Sequence, residues 1–139
     1  MKESVTVSWT GGMSFEADVN GHKITIDAAP DAGGQDKGPK PKPLMMVALA
    51  GCTGMDVVSI LKKMRVEYES LDINVEGELT EEHPKKFVKM KVIYSFKGTD
   101  LPLDKIKKAI KLSEETYCGV SASYKEVMDL SYEIKINES

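Results

Sequence analysis

The sequence predicts an α+β fold with a mainly antiparallel sheet. Three short segments of alternating apolar and polar residues open the chain, two longer ones follow in its middle, and one closes it. Between them, one long segment is apolar nearly all round, and another carries apolar residues at helical spacing. Because the predicted order βββ, α, ββ, α, α, β groups strands and helices in blocks, it favours the α+β class over strict α/β alternation.

The N-terminal third predicts a three-stranded meander and a loop. The runs SVTVSW, MSFEADV and HKITIDA are separated by TGG and NG, and NG is a favoured tight hairpin turn. The following segment, Pro30 to Pro43, is rich in Gly, Pro and Lys and cannot continue a sheet. It leads into a long helix that ends near Arg65, and Pro43 is acceptable at the first helical position.

The rest of the chain predicts a hairpin, two helices and a final strand. LDINVEGEL and FVKMKVIYSFKG alternate on either side of TEEHPKK and predict a long hairpin from about 70 to 97. PLDKIKKAIKLSEETYC places apolar side chains on one helical face and lysines largely on the other, with Cys118 at its C-terminal end. A shorter helix in SASYKEVM and a strand in LSYEIKI follow.

Length and composition are those of an ordinary globular protein. The chain has 139 residues, 41% of them hydrophobic and 29% charged, so we expect a single domain over residues 1–139. A net charge of -3, with lysines interleaved among acids, does not indicate a nucleic-acid partner. The N-terminal MKESVTVSWTGG has no apolar signal core, and we therefore expect a cytoplasmic protein.

The apolar helix from Leu44 to Leu61 needs an environment on all sides. Its 18 residues would reach about 27 Å, but Thr53, Asp56 and Ser59 interrupt it, and a mid-bilayer Asp costs about 2.5–3.5 kcal/mol. We therefore expect no membrane span. A chain of this length has little surface to spare for enclosing such a helix, which predicts a homodimer with helices packed between two sheets.

Two cysteines, Cys52 and Cys118, are the candidate reactive residues. They lie 66 residues apart, which fits neither a secreted disulfide framework nor the paired spacing of a structural zinc site. If the fold brings them together, one thiolate can attack an electrophile and the other can resolve the product as a disulfide. Two inert buried thiols remain the alternative, because free cysteine is often only a packing residue.

The cysteine segments resemble a known family. GPKPKPLMMVALAGCTGMDVVSIL and LSEETYCGVSASY are similar to the first- and second-cysteine segments of the OsmC/Ohr family, and CTGMDVV with EEHPKKF is most similar to its YhfA-like branch. The resemblance implies an intertwined α+β homodimer and a thiol peroxidase for organic hydroperoxides. It implies Cys52 as the peroxidatic and Cys118 as the resolving cysteine, a dithiol reductant, and no metal or organic cofactor.

The residues that activate the thiol in that family have no counterpart here. The family carries a Glu near the start of the central helix and an Arg in the meander, whereas this helix begins Pro41, Lys42, Pro43, Leu44. Arg65, the single arginine, lies 13 residues after Cys52, or about 20 Å along the helix, so it cannot reach that sulfur within one subunit, although a second subunit could present it. An alternative function is therefore a non-catalytic protein that binds a small apolar or thiol-reactive ligand at the dimer interface.

Asp56 lies one helical turn after Cys52 and invites two interpretations. As an anion at i+4 it should raise the pKa of the thiol. The favoured interpretation is a structural carboxylate held by hydroxyls, backbone groups or a lysine of a second chain. In the other, Asp56 positions a water or accepts a proton once a peroxide is bound.

Overall fold

The computed structural model describes residues 1–138, which form two compact units, Met1–Met45 and a second that begins at Met46. The first unit is the predicted meander. Its strands β1 (Thr6–Gly11), β2 (Ser14–Val19) and β3 (His22–Ile26) pair antiparallel in the order β1-β2-β3. The β2–β3 turn has Asn20 and Gly21 at φ 52° and 82°, as the NG pair predicted.

One face of this meander is apolar and exposed. The register places Val7 opposite Ala17 and Trp9 opposite Phe15, so these side chains share a face of the sheet. Trp9 is 67% exposed, and Val7 and Phe15 are exposed as well. A small sheet needs its apolar face covered to be stable, and within this unit that face is open.

Asp27 organises the loop that follows β3. Its buried carboxylate accepts the backbone N–H groups of Ala28 at 2.7 Å and of Gln35 and Lys37 at 3.2 Å. A short 3₁₀ helix, Pro30–Ala32, lies within the loop. Gly34 is required there, because a Cβ at this position would overlap the carbonyl of Ala28.

The central helix α1 spans Pro41–Lys63 and begins two residues before the predicted Pro43. Arg65 ends it in the left-handed conformation at φ 59°, where its N–H donates to the Lys62 carbonyl and the Val66 N–H to that of Leu61. This is the Schellman pattern of helix termination. The helix end near Arg65 is thus confirmed.

The second unit packs α1 and α2 against a three-stranded sheet. Strands β4 (Ser70–Leu79) and β5 (Phe87–Lys97) form the predicted antiparallel hairpin, with β5 in the centre. After α2 (Leu103–Leu112) and α3 (Gly119–Tyr124), β6 (Asp129–Ile136) pairs with β5 in parallel. The parallel pairing follows because the two helices form a crossover that returns the chain to the same end of the sheet.

Only one face of α1 is enclosed within this unit. The face spaced four residues apart, Leu49, Thr53, Val57 and Leu61, is buried. On the other side Met55 is 77% exposed, and Val47 and Val58 are exposed too. By length and composition α1 could also cross a membrane, with mean hydropathy 1.9 over an 18-residue window of which 22% is buried. This helix therefore presents a large apolar surface that the second unit itself does not cover.

Candidate active site

The fold brings the two cysteines close together. Cys52 is half-buried in the middle of α1, and Cys118 is 3% exposed at the N-cap of α3. Both are free thiols, and the side chain of Cys118 lies close enough to Cys52 to raise the pKa of that thiol. Residues 66 positions apart in the sequence thus form one dithiol site.

Backbone amides of one short segment point at both sulfurs. The N–H of Ser121 donates to Cys118 Sγ at 3.3 Å. The backbone N–H of Val120 lies near Cys52, where it lowers the pKa of that thiol. Such bonds strengthen when a thiol becomes a thiolate, because charge makes sulfur a better acceptor. The thiols therefore have backbone donors although the family's usual Arg is missing.

A widened turn leads from α2 into Cys118. Ser113–Tyr117 forms a π-helical turn, which is a rare conformation that occurs frequently at functional sites. It ends where the N–H of Cys118 donates to the Ser113 carbonyl at 2.7 Å, and Cys118 itself is extended at φ -78° and ψ 104°. Cys118 therefore follows a π-helical turn, a feature that the sequence did not predict.

A chain of buried hydroxyls lies beside the dithiol. Ser113 Oγ donates to Asp56 Oδ2 at 2.9 Å, Thr53 Oγ1 lies 2.9 Å from Ser113 Oγ, and the Tyr94 hydroxyl lies 2.7 Å from Thr53 Oγ1. Each hydroxyl has one hydrogen to give. Since Ser113 gives its hydrogen to Asp56, Thr53 must donate to Ser113 and Tyr94 to Thr53. The hydrogen bonds of all four groups therefore run in one direction, with each hydroxyl donating to the next group from Tyr94 to Asp56.

The environment of Cys52 favours its protonated thiol. Burial raises the pKa of Cys52, and the hydrogen bond to Cys118 and the nearby charge of Asp56 raise it further, while the Val120 N–H lowers it. The sign predicted for Asp56 is confirmed. Burial likewise raises the pKa of Tyr94 well above its usual value, which keeps this phenol a hydrogen-bond donor.

Sequence reasoning found the cysteines and Asp56 but missed three members of the hydroxyl chain, Thr53, Ser113 and Tyr94. The sequence feature that could have identified Thr53 and Ser113 is a polar residue at a position expected in the core. Thr53 shares the buried face of α1, and Ser113 continues the apolar face of α2. Arg65 ends α1 and lies outside these contacts. Within residues 1–138 no group of three or more His, Cys, Asp or Glu side chains could hold a metal ion.

Comparison with known proteins identifies the family of the chain. The family model for OsmC-like proteins matches residues 34–133, a range that includes both cysteines. The chain belongs to the OsmC family. Within it, protein YhfA of Escherichia coli strain K12 is 30% identical over 131 residues, which cover 94% of this chain and 95% of that protein.

Solved OsmC-like structures share the whole fold. A hypothetical protein from Aquifex aeolicus VF5 has a TM-score of 0.83 at 31% identity, covering 99% of each chain. The organic hydroperoxide resistance protein OhrB of Bacillus subtilis has a TM-score of 0.67 at 20% identity, covering 97% of this chain and 98% of that one. The predicted family and the predicted α+β, OsmC-like fold class are both confirmed.

Proposed function

We propose that this OsmC family protein is a thiol-dependent peroxidase that reduces organic hydroperoxides through Cys52 and Cys118. The observation that carries the proposal is the proximity of the two side chains, through which Cys118 raises the pKa of Cys52 and provides a second thiol beside the first. Family membership supports it, as does the fold shared with an organic hydroperoxide resistance protein.

The reaction consumes one hydroperoxide and two thiols. The thiolate of Cys52 attacks the terminal peroxide oxygen, so that an S–O bond forms, the O–O bond breaks, and the alkoxide leaves and takes a proton to become the alcohol. Cys118 then attacks the sulfenic sulfur of Cys52; an S–S bond forms and water leaves. A small dithiol must reduce the disulfide by thiol exchange, which restores both cysteines. The proposed chemistry needs no metal or organic cofactor.

The backbone donors support thiolate formation. Cys52 lies beyond the first turn of α1, where the helix dipole has faded, and Asp56 opposes ionisation. The Val120 N–H to Cys52 and the Ser121 N–H to Cys118 remain as the groups that favour negative sulfur. This amide pair offers an alternative to the charged activators of the family.

Stopped-flow mixing of the reduced protein with cumene hydroperoxide tests the proposal, followed by titration of free thiols. We expect the wild type to lose both thiols and Cys118→Ser to lose one. Cys52→Ser, the matched control, should keep Cys118 reduced. Survival of both wild-type thiols in a modest excess of peroxide would refute the peroxidase.

We further propose that the working form is a homodimer. Two apolar surfaces support this, the face of the meander that includes Trp9 and the side of α1 that includes Met55, each exposed within its own unit. A second copy has the same two surfaces, and a two-fold axis lets equal patches cover each other. Packing of the exposed side of α1 against the same surface of a second copy would also enclose this helix without a membrane.

Light scattering in detergent-free buffer tests the dimer. We expect twice the chain mass for the wild type, and dissociation for Met55→Glu, because a charge would be buried in the interface. Val127→Glu is the control, since Val127 is also exposed but lies on the turn after α3. A monomeric wild type at micromolar concentration would exclude the dimer.

The free thiols of Cys52 and Cys118 suit a reducing compartment, and we propose the cytoplasm.

The second candidate function is a non-catalytic binder of a small apolar or thiol-reactive ligand. The observation that favours it is the raised pKa of Cys52, since a protonated thiol is a poor nucleophile. Native mass spectrometry of the purified protein would reveal a retained ligand. Normal retention by Cys52→Ser would favour binding over turnover.

A further inference from the structure

The side chain of Ser113 joins the two segments that carry the cysteines. Its hydroxyl donates to Asp56 Oδ2 at 2.9 Å and accepts from Thr53 at 2.9 Å, and both partners belong to α1. Thr53 follows Cys52 directly in the sequence. The carbonyl of Ser113 accepts the N–H of Cys118 at 2.7 Å. One residue therefore links the neighbours of one sulfur to the backbone of the other.

Burial makes this link strong. Ser113 is 0% exposed and Thr53 1%, so water does not compete for their hydroxyls. Hydrogen bonds at such sites hold their geometry, because breaking one leaves a buried polar group without a partner. Two side-chain bonds to different residues of α1 fix both the position and the rotation of the turn that begins at Ser113.

We propose that Ser113 is a positioning residue that holds Cys118 against Cys52 for disulfide formation. The role of Ser113 in turnover rests on the proposed function. The hydrogen bonds of Ser113 are present whether or not a peroxide reacts. In the step concerned, the Cys118 thiolate attacks the sulfenic sulfur of Cys52. The S–S bond forms, the S–O bond breaks, and the released hydroxide takes a proton to leave as water.

The sensitivity of such a step to position is large. A displacement of about 1 Å between reacting groups can cost about 100-fold in rate. Ser113→Ala removes both side-chain bonds to α1 and keeps the carbonyl that receives the Cys118 N–H. Tyr94→Phe is the matched control, because it removes a bond from the same hydroxyl chain and leaves the link between α1 and Ser113 in place.

Equilibration with reduced and oxidised glutathione measures the effective molarity of the two thiols without any peroxide. We expect the effective molarity in Ser113→Ala to fall by about tenfold or more relative to wild type, and Tyr94→Phe to stay within about threefold. A general loss of stability would affect both variants alike, so the difference between them reports positioning. A Ser113→Ala value within threefold of wild type would overturn the proposal.

Peroxide kinetics separate the two chemical steps. In Ser113→Ala we expect the Cys52 thiol to be consumed at a rate within about threefold of wild type, while disulfide formation slows about tenfold and dimedone captures the sulfenic acid. Equal rates of disulfide formation in variant and wild type would contradict the proposal. If the wild type does not react with peroxide, the proposed function fails, and the glutathione equilibrium still decides the role of Ser113.

A second variant keeps the test decisive if Ser113→Ala does not fold. Thr53→Val removes one of the two bonds between Ser113 and α1 while preserving the shape of the side chain. We expect a smaller fall in effective molarity, of about threefold to tenfold, because the bond to Asp56 remains. If Ser113→Ala does not fold and the effective molarity in Thr53→Val equals that of wild type, the result would count against a positioning role for Ser113.

Discussion

The Tyr94 hydroxyl lies 2.7 Å from Thr53 Oγ1, which places a phenol of the central strand in contact with the residue after Cys52. Tyr94 is 0% exposed, and its ring packs edge-on against Tyr132 with 6.4 Å between the ring centroids. Since Thr53 gives its own hydrogen to Ser113, it depends on Tyr94 for a donor.

Tyr94→Phe should destabilise the protein by about 1–3 kcal/mol, because it leaves the buried Thr53 oxygen without its donor. Urea denaturation followed by circular dichroism measures the change. Tyr132→Phe is the control, since Tyr132 is partly exposed, and it should stay within about 0.5 kcal/mol of wild type. Equal effects of the two substitutions would contradict the assigned hydrogen bond.

Alkaline pH should destabilise the wild type partly through Tyr94. Burial raises the pKa of Tyr94, so the folded protein keeps a proton that the unfolded chain loses above about pH 10. The stability from this group is present below that pH and is lost as the pH rises above it. Urea midpoints at about pH 8 and about pH 10.5 should therefore fall further for wild type than for Tyr94→Phe. Parallel losses would argue against the shift.

Asp56→Asn should lower the pKa of the Cys52 thiol, because it removes a negative charge that disfavours the thiolate. The pH dependence of iodoacetamide alkylation, measured in the Cys118→Ser background, should shift to lower pH. Glu67→Gln removes an exposed charge beyond the end of α1 and serves as control. An upward shift in the Asp56 variant would show that the carboxylate assists ionisation instead.

Asp27→Asn should loosen the loop from 28 to 38, because asparagine keeps only one accepting oxygen, whereas the three N–H groups now bind two carboxylate oxygens. These bonds lower the pKa of Asp27 against the opposing effect of burial, so their contribution exists above the usual Asp pKa and is lost in acid. Hydrogen exchange of the Gln35 and Lys37 amides should accelerate. Asp36→Asn, at an exposed position with φ 53°, should leave both rates unchanged.

Arg65→Gly should stabilise the protein by about 0.5–1 kcal/mol, because glycine adopts the left-handed conformation that ends α1 without steric cost. Asparagine and aspartate occupy the other non-glycine positions of positive φ among the described residues. Thermal unfolding compares it with Arg65→Ala, which removes the same charge and keeps the Cβ. A gain in the alanine variant alone would assign the effect to charge.

Local pattern determined most of the secondary structure. Alternation predicted every strand, and helical periodicity predicted α1 and α2, since these signals depend on residues a few positions apart. The predictions of the NG turn and of the end of α1 near Arg65 likewise depended on residues a few positions apart. The sequence alone also carried the resemblance of the two cysteine segments to the OsmC family, and the family comparison confirms the family.

Tertiary structure decided what surrounds the thiols. The proximity of Cys52 and Cys118 and the hydroxyl chain from Tyr94 through Thr53 and Ser113 bring together residues 41 to 66 positions apart, for which the sequence carries no spacing rule. The π-helical turn before Cys118 and the parallel pairing of β6 likewise depend on packing rather than on propensity. The sequence by itself determined that two cysteines are present in an OsmC fold. Only the folded chain decided which amides and hydroxyls face them, because those contacts depend on how distant segments pack.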